Sequence, residues 1–284
     1  MTGANSGVGY QTALGLARAG ASVIVAARSL EKGRAAAAAI AAAAPNAEVV
    51  FKRLDLASLV SVKAFAEQTG PFDIFVNNAG VMGLPTRQAT ADGYEMQLGV
   101  NHLGHFALTL ALLPALRAGK DARVVTVSSI KHKVGKIDLN DLNWERRAYQ
   151  PIPAYDQSKL ANLMFARELQ HRLAERGESV VSFAAHPGIA RTEIIVNGPG
   201  VKSWSNRLIT AFQSVAAQSA VAGALPILYA ATDPEAEPGG YYGPTGWREF
   251  RGPVGRAQVA RQARDRSIAE RLWAASETMT SSTL

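Results

Sequence analysis

A doubly wound α/β fold, with a parallel sheet covered by helices on both faces, is the class this sequence predicts. Short runs rich in β-branched and aromatic residues alternate with longer helical runs, the order that right-handed βαβ units produce. Those short runs are almost continuously apolar, as strands buried on both faces must be. With 284 residues, 48% of them hydrophobic and 19% charged, the chain has the material for one large core.

The elements follow in order. The chain opens MTGANSGVGY, a glycine turn preceded only by Met1, and a helix is expected over 7–19. SVIVAA (22–27) is the first strand-length run, followed by a helix over 30–43. The alanine run AAAAAIAAAA (35–44) is a strong helix former, and Pro45 stops it. EVVFKRL (48–54), FDIFVNN (72–78), RVVTVSS (123–129) and SVVSFAA (179–185) supply further strands. Helices over 58–69, 92–118 and 154–176 fall between them. Two segments break the rhythm: the polar, proline-punctuated 131–153, and 193–216, where NGPGVKSWSN interrupts helical patches. Both read as loops or partial lids over a site. No linker, charge block or repeat divides the chain, so a single domain over 1–284 is expected, with a small lid around 193–216.

Composition narrows the function. The chain has no cysteine, which removes disulfides, a thiol nucleophile and Cys-ligated metal and agrees with a cytoplasmic address. No membrane span and no leader are read from the apolar runs, so a soluble protein is expected. The net charge of +7 raises the question of nucleic acid. Seven arginines against three acids between Trp247 and Leu272 leave +4 in that stretch alone. It reads as the solvated face of a terminal helix, and no zinc-finger spacing or interleaved aromatics accompany it. No nucleic-acid partner is expected.

In the opening turn, Gly3, Gly7 and Gly9 let backbone N–H groups approach a pyrophosphate, and the following helix dipole favours its charge. The spacing is G-x3-G-x-G, and with 25 glycines in the chain it is a weak signal alone. The second position to examine is the end of the first strand run. A carboxylate there would bond the 2′-hydroxyl of NAD, whereas VIVAARS ends in Arg28, which suits the 2′-phosphate of NADP. The strongest signal is distributed: NNAG (77–80), NHLGHF (101–106), VSS (127–129) and YDQSK (155–159). Three of the four gather where parallel strands end, the usual place for a ligand in such sheets. Tyr155 and Lys159 stand i and i+4 on one helical face. His102 and His105 have no third ligand at a recognised spacing, so packing or a supporting role behind the site is the reading for both and no metal is expected. His186 before Pro-Gly reads as structural.

As an ordered set, these motifs resemble the short-chain dehydrogenase/reductase superfamily of the classical type. NHLGHF, YDQSKLAN and HPG (186–188) are most similar to its retinol dehydrogenase and WW-domain oxidoreductase branch. The resemblance runs from Thr2 to YYGPTG (241–246) and implies a Rossmann-type three-layer fold. It implies hydride transfer between NADP(H), preferred over NAD(H), and a carbonyl or alcohol of an apolar small molecule. Tyr155 would be the general acid/base, Ser129 the hydrogen-bond donor to the reacting oxygen, and Asn101 the anchor of a water connecting Lys159 to solvent. An unperturbed tyrosine near pKa 10 shuttles protons poorly at neutral pH. Lys159 as an ammonium and an oxidised nicotinamide would favour its phenolate. Gly3, Asn5, Ser6, Gly7, Val8 and Gly9 would cradle the pyrophosphate and Arg28 would hold the 2′-phosphate. Asp55 and Leu56 would lie against the adenine, with Asn77, Ala79 and Gly80 beside its ribose. Tyr155 and Lys159 would hold the nicotinamide ribose, and Pro187, Gly188 and Thr192 would flank the nicotinamide. A homodimer through the helices at 92–118 and 154–176 is the family's common assembly. The rival reading is a catalytically idle NADP(H)-binding regulator or scaffold.

Two features depart from the family pattern. The usual first strand, central in a sheet ordered 3-2-1-4-5-6-7, is absent here. The expectation is that Met1 marks a mis-called start, a bacterial valine codon read as Met, with the natural chain beginning upstream. Ser129 and Tyr155 are also 26 positions apart, through the 131–153 segment, a spacing similar to that of the retinol dehydrogenase branch.

Overall fold

Each strand that the sequence predicts forms, trimmed by a residue or two at its ends. They are β1 (Val23–Ala27), β2 (Val49–Arg53), β3 (Ile74–Asn77), β4 (Arg123–Val127) and β5 (Val181–Ala185). Two more complete the set, β6 (Tyr241–Pro244) and β7 (Val254–Arg256). A computed structural model describes residues 1–189 and 218–284. The lid expected around 193–216, and Thr192, lie outside the described residues.

The pairing is parallel from β1 to β2 and along β3-β4-β5-β6, while β7 closes antiparallel on β6. The ladder is in two pieces, β2-β1 and β3-β4-β5-β6-β7, because among the described residues no strand stands between β1 and β3. Met1–Gly3 bridge the two pieces at the level of the strand ends. The Met1 amine donates to Ile24 O at 2.9 Å, Ala26 N to Met1 O at 2.9 Å, and Gly3 N to Ala26 O at 2.8 Å. On the other side Thr2 N donates to Val76 O at 3.0 Å.

The helices are α1 (Gly7–Arg18), α2 (Leu30–Ala43), α3 (Leu59–Glu67), α4 (Met96–Leu98) and α5 (Gly104–Arg117). They continue as α6 (Pro151–Glu175), α7 (Ala220–Thr232) and α8 (Arg266–Thr280). Serine caps start three of them, Ser29 accepting from Lys32 N, Ser58 from Ser61 N and Ser219 from Ala222 N. Helices α1, α2 and α7 cover one face of the sheet, and α3, α5 and α6 the other. The helix expected over 92–118 is interrupted by a π turn at Gly99–Leu103. The whole run Met96–Arg117 is long and apolar enough to cross a membrane, which corrects the reading of the apolar runs. It is the central helix of the core, with 83% of its apolar window buried.

Two expectations about the periphery change. The arginine-rich stretch is not one helix, since β7 and two short 3-10 turns precede α8. Helix α8 then packs across α5 and α6: Trp273 stacks on Phe165 at 5.8 Å and meets Phe106 edge-on at 4.9 Å. The face expected to dimerise is therefore covered by the chain's own last helix. The 131–153 segment is a pinned loop. Arg147 lies 3.7 Å from the Trp144 ring and pairs with Asp138 at 2.9 Å, and Gln157 of α6 donates to Leu142 O.

Candidate active site

The carboxyl ends of β1, β3, β4 and β5 open on one edge of the sheet, and the glycine turn stands among them. Gly3 and Gly7 have φ of +63° and +55°, the left-handed region open to glycine at little cost. A Cβ on Gly9 would lie 2.3 Å from Gly3 O, so the turn closes only on glycine there. Thr2 stitches this turn to NNAG: its Oγ1 accepts from Asn78 N at 2.9 Å and Ala79 N at 3.0 Å. Asn78 Nδ2 donates back to Thr2 O at 3.0 Å. Ser6 is the N-cap of α1 with no side-chain cap bond, and no acid occupies the first turn. The donors of that helix end thus face an electropositive, uncapped edge, which fits an anionic pyrophosphate. Asn5 is half-buried in the same turn, while Val8 faces inward and packs on Val76 and Val125.

The other carried-over positions divide between the site and the core. Arg28 follows β1 and is exposed. Ala79 and Gly80 line the turn after β3. Asn77 does not face the site: it is buried at the end of β3 and donates to Thr109 Oγ1 of α5 at 2.9 Å. Asp55 spends a carboxylate oxygen on Ala57 N at 3.0 Å, and Leu56 is buried in the core. Pro187 and Gly188 form the turn after β5, with Gly188 at φ +63°. A Cβ there would be 2.3 Å from Phe250 O.

Asn101 sits in the π turn, a place where extra backbone length often re-aims a functional side chain. Its Oδ1 accepts from Val81 N at 2.8 Å, and its Nδ2 donates to Val81 O and Ser158 Oγ, both at 2.9 Å. It therefore fastens the turn after β3 to α6. The glycine at position 80 is needed beside it, because a Cβ would lie 3.1 Å from Asn101 Oδ1 and 3.6 Å from Lys159 Nζ. His105 ties the π turn to the glycine turn, with Nδ1 3.0 Å from Asn101 O and Nε2 2.9 Å from Thr2 Oγ1. His102 is spent on Ser276 Oγ at 2.9 Å.

The two serines after β4 separate cleanly. Ser128 Oγ donates to Lys159 O at 2.7 Å and so holds α6 to the sheet. Ser129 caps the 3-10 turn Ile130–Lys133, and its side chain lies beside the Tyr155 phenol and acts on it. Burial pushes Tyr155 up to about 12, with Ser129 opposing, so the phenol keeps its proton at neutral pH. That is opposite to the direction expected from Lys159. The ammonium lies 5.8 Å from the phenol ring and donates to Val127 O at 3.2 Å instead. Burial lowers Lys159 from 10.5 to about 8.

No role is legible in the sequence for Thr2 or for Asn78 within NNAG, and His105 reads only as packing or support. Each works through a partner far along the chain. A donor-rich glycine turn at the start of a helix and a buried lysine beside a phenol together fit a nicotinamide dinucleotide.

The comparisons with known proteins bear on this geometry. A family model described as short chain dehydrogenase matches residues 1–198. Retinol dehydrogenase 13 of Homo sapiens is 43% identical over 282 residues, covering 97% of this chain and 82% of that protein. Polyprenol dehydrogenase of Mus musculus is 43% identical over 282 residues, covering 96% and 81%. A crystal structure of an uncharacterized protein from Mycobacterium paratuberculosis is 42% identical with a TM-score of 0.80, covering 99% of this chain and 92% of that one.

Proposed function

This chain belongs to the short chain dehydrogenase family, in its retinol dehydrogenase-like branch, and from that premise we propose the particular reaction. It interconverts a carbonyl and an alcohol on an apolar small molecule, with NADP(H) preferred over NAD(H). When bound, the nicotinamide supplies or receives the hydride. The observation that carries the reading is the pairing of the Tyr155 phenol with Ser129, above the buried ammonium of Lys159.

Tyr155 holds its proton on the phenol oxygen at neutral pH, so in the reducing direction it donates to the carbonyl oxygen. Ser129 Oγ accepts from Lys131 N at 3.2 Å, which leaves its O–H to stabilise negative charge on that same oxygen. Lys159 holds a proton that it releases near pH 8, within reach of ordinary conditions. Asn101 keeps Val81 and Ser158 in register, and so fixes the wall between the two halves of the site. Arg28, with no acid at the end of β1, supports the choice of a 2′-phosphate. The apolar substrate is supported by the names of the relatives, a retinol and a polyprenol dehydrogenase. We place the protein in the cytoplasm, as a monomer with α8 covering α5 and α6, testable by fractionation and light scattering.

The test is turnover of long-chain and isoprenoid aldehydes with NADPH or NADH, followed by nicotinamide absorbance. Tyr155→Phe should abolish turnover while leaving NADPH binding intact. Arg28→Ala should weaken NADPH roughly 10–100-fold, the worth of a charge-assisted hydrogen bond, and leave NADH unchanged. A wild type that binds NADPH and turns over no carbonyl would favour the idle-scaffold rival.

A further inference from the structure

Around the carbonyl of Ser129 lies a buried polar stack that the reaction as described does not use. The carbonyl oxygen of Ser129 collects three donors. His132 N reaches it at 3.0 Å, His132 Nδ1 at 2.7 Å and the Tyr241 hydroxyl at 3.4 Å. His132 is fully buried, and its other nitrogen, Nε2, accepts from Ala260 N at 3.3 Å. These partners fix a single neutral tautomer, with the proton on Nδ1. The Tyr241 ring stands edge-on to His132 at 5.2 Å and lies 5.2 Å from His186, so the stack crosses the ends of β4, β5 and β6.

The far end of the stack is anchored at some cost. Glu249 enters it from a turn in which Arg248 and Glu249 have φ of +50° and +60°, a left-handed pair without glycine. Its carboxylate meets Lys133 Nζ at 2.9 Å, Gln258 N at 2.7 Å and His186 Nε2 at 3.5 Å. His186 in turn accepts from Gly188 N at 3.2 Å, which reaches the turn after β5. Two buried imidazoles thus flank Tyr241, whose hydroxyl reaches the serine carbonyl, and the strained turn holds the outer one.

We infer that His132 is a positioning residue for Ser129, with Tyr241 as its second donor; this rests on the reading of Ser129 and Tyr155 as the reacting pair. Ser129 is extended (φ −156°, ψ 158°), and its carbonyl and Oγ are borne on the same residue. Holding the carbonyl on the His132 side fixes the backbone, and that turns Oγ toward Tyr155. Released, the serine can rotate and the hydroxyl loses its place beside the phenol.

Paired substitutions test this, because asparagine reproduces the Nδ1 donor of histidine and glutamine the Nε2 position. His132→Gln should lower kcat on the order of 10–100-fold, the cost of a misplaced group, with NADPH affinity and KM within about twofold. His132→Asn should restore most of the loss. Tyr241→Phe, which removes only the hydroxyl, should lower kcat by a few-fold, roughly three- to fivefold. A His132→Gln protein with wild-type kcat, or a His132→Asn protein as impaired as His132→Gln, overturns the inference. Should His132→Gln fail to fold, Tyr241→Phe decides: a fall in kcat at unchanged NADPH affinity supports it, and wild-type kcat overturns it. Wild-type turnover, measured first, judges the functional reading separately. An idle wild type sinks both, whereas an active wild type indifferent to these changes sinks only the positioning role.

Discussion

Replacing Lys159 with methionine should abolish turnover and make the protein more stable. The ammonium is 4% exposed, its nearest acceptor is a neutral backbone carbonyl, and burial alone accounts for its lowered pKa. A fall from 10.5 to about 8, at about 1.4 kcal/mol per unit, is a cost of roughly 3 kcal/mol for keeping the charged form in the fold. Methionine is similar in length and carries no charge. The carbonyl that Lys159 leaves is not orphaned, because Asn162 Nδ2 also donates to Val127 O at 3.2 Å. The sign follows from linkage. Between about 8 and 10.5 the unfolded chain binds the lysine proton and the folded chain has lost it, so wild-type stability rises with pH across that window. The methionine variant lacks this rise, and its advantage is largest below pH 8 and fades toward pH 10.5. At neutral pH it should gain roughly 5–8 °C in Tm for a chain of this size. Thermal unfolding of the two proteins without nucleotide, repeated from pH 6 to roughly 10, measures it. A variant no more stable than wild type at neutral pH, or a gap that does not change with pH, refutes the reasoning.

Gly9→Ala places a methyl group 2.3 Å from Gly3 O and must open the glycine turn. NADPH affinity should fall by more than tenfold, for roughly 1–3 kcal/mol lost in stability, read by fluorescence titration and urea unfolding. Trp273→Ala strips the stack on Phe165 and Phe106 and should cost roughly 3–5 kcal/mol. With α8 loosened, the α5 and α6 face opens, so light scattering should show more self-association than in the wild type.

Local signals carried the sequence reading a long way. Strands β1 to β5 announced themselves by apolar β-branched runs, and the turns after them by glycine, asparagine and serine. Strands β6 and β7 did not. YYGP carries a glycine and a proline that read as a turn, and VGR is only three residues long. The π turn was invisible because its sequence keeps the helical pattern on either side. Asn77 was assigned to the site by its place in NNAG, yet strand alternation sends its side chain toward α5 and leaves Asn78 to face the glycine turn. The Tyr155 shift ran upward because spacing along a helix shows that a lysine is near, not that burial outweighs it at 5.8 Å. Sequence placed the residues proposed to react; contacts spanning tens of residues decided how they are held.

Those contacts share a physical origin. A strand end or a π turn leaves backbone groups without ladder or helix partners, and inside a protein such groups must be paired. Here the pairing falls to side chains of the site: Lys159 and Asn162 on Val127 O, His132 on Ser129 O, His105 on Asn101 O, and Asn101 on both polar groups of Val81. The same residues thus hold the fold and set the chemistry, but they do not all contribute to stability with the same sign. Lys159 shares its carbonyl and brings a charge, so its removal should separate stability from activity. Asn101 pairs both Val81 N and Val81 O, so Asn101→Ala should lower both together, at about 1–3 kcal/mol for the backbone groups left unpaired. Urea unfolding of this variant beside Lys159→Met puts the distinction to the test. If both move stability in one direction, burial of the ammonium is not the dominant cost in this site.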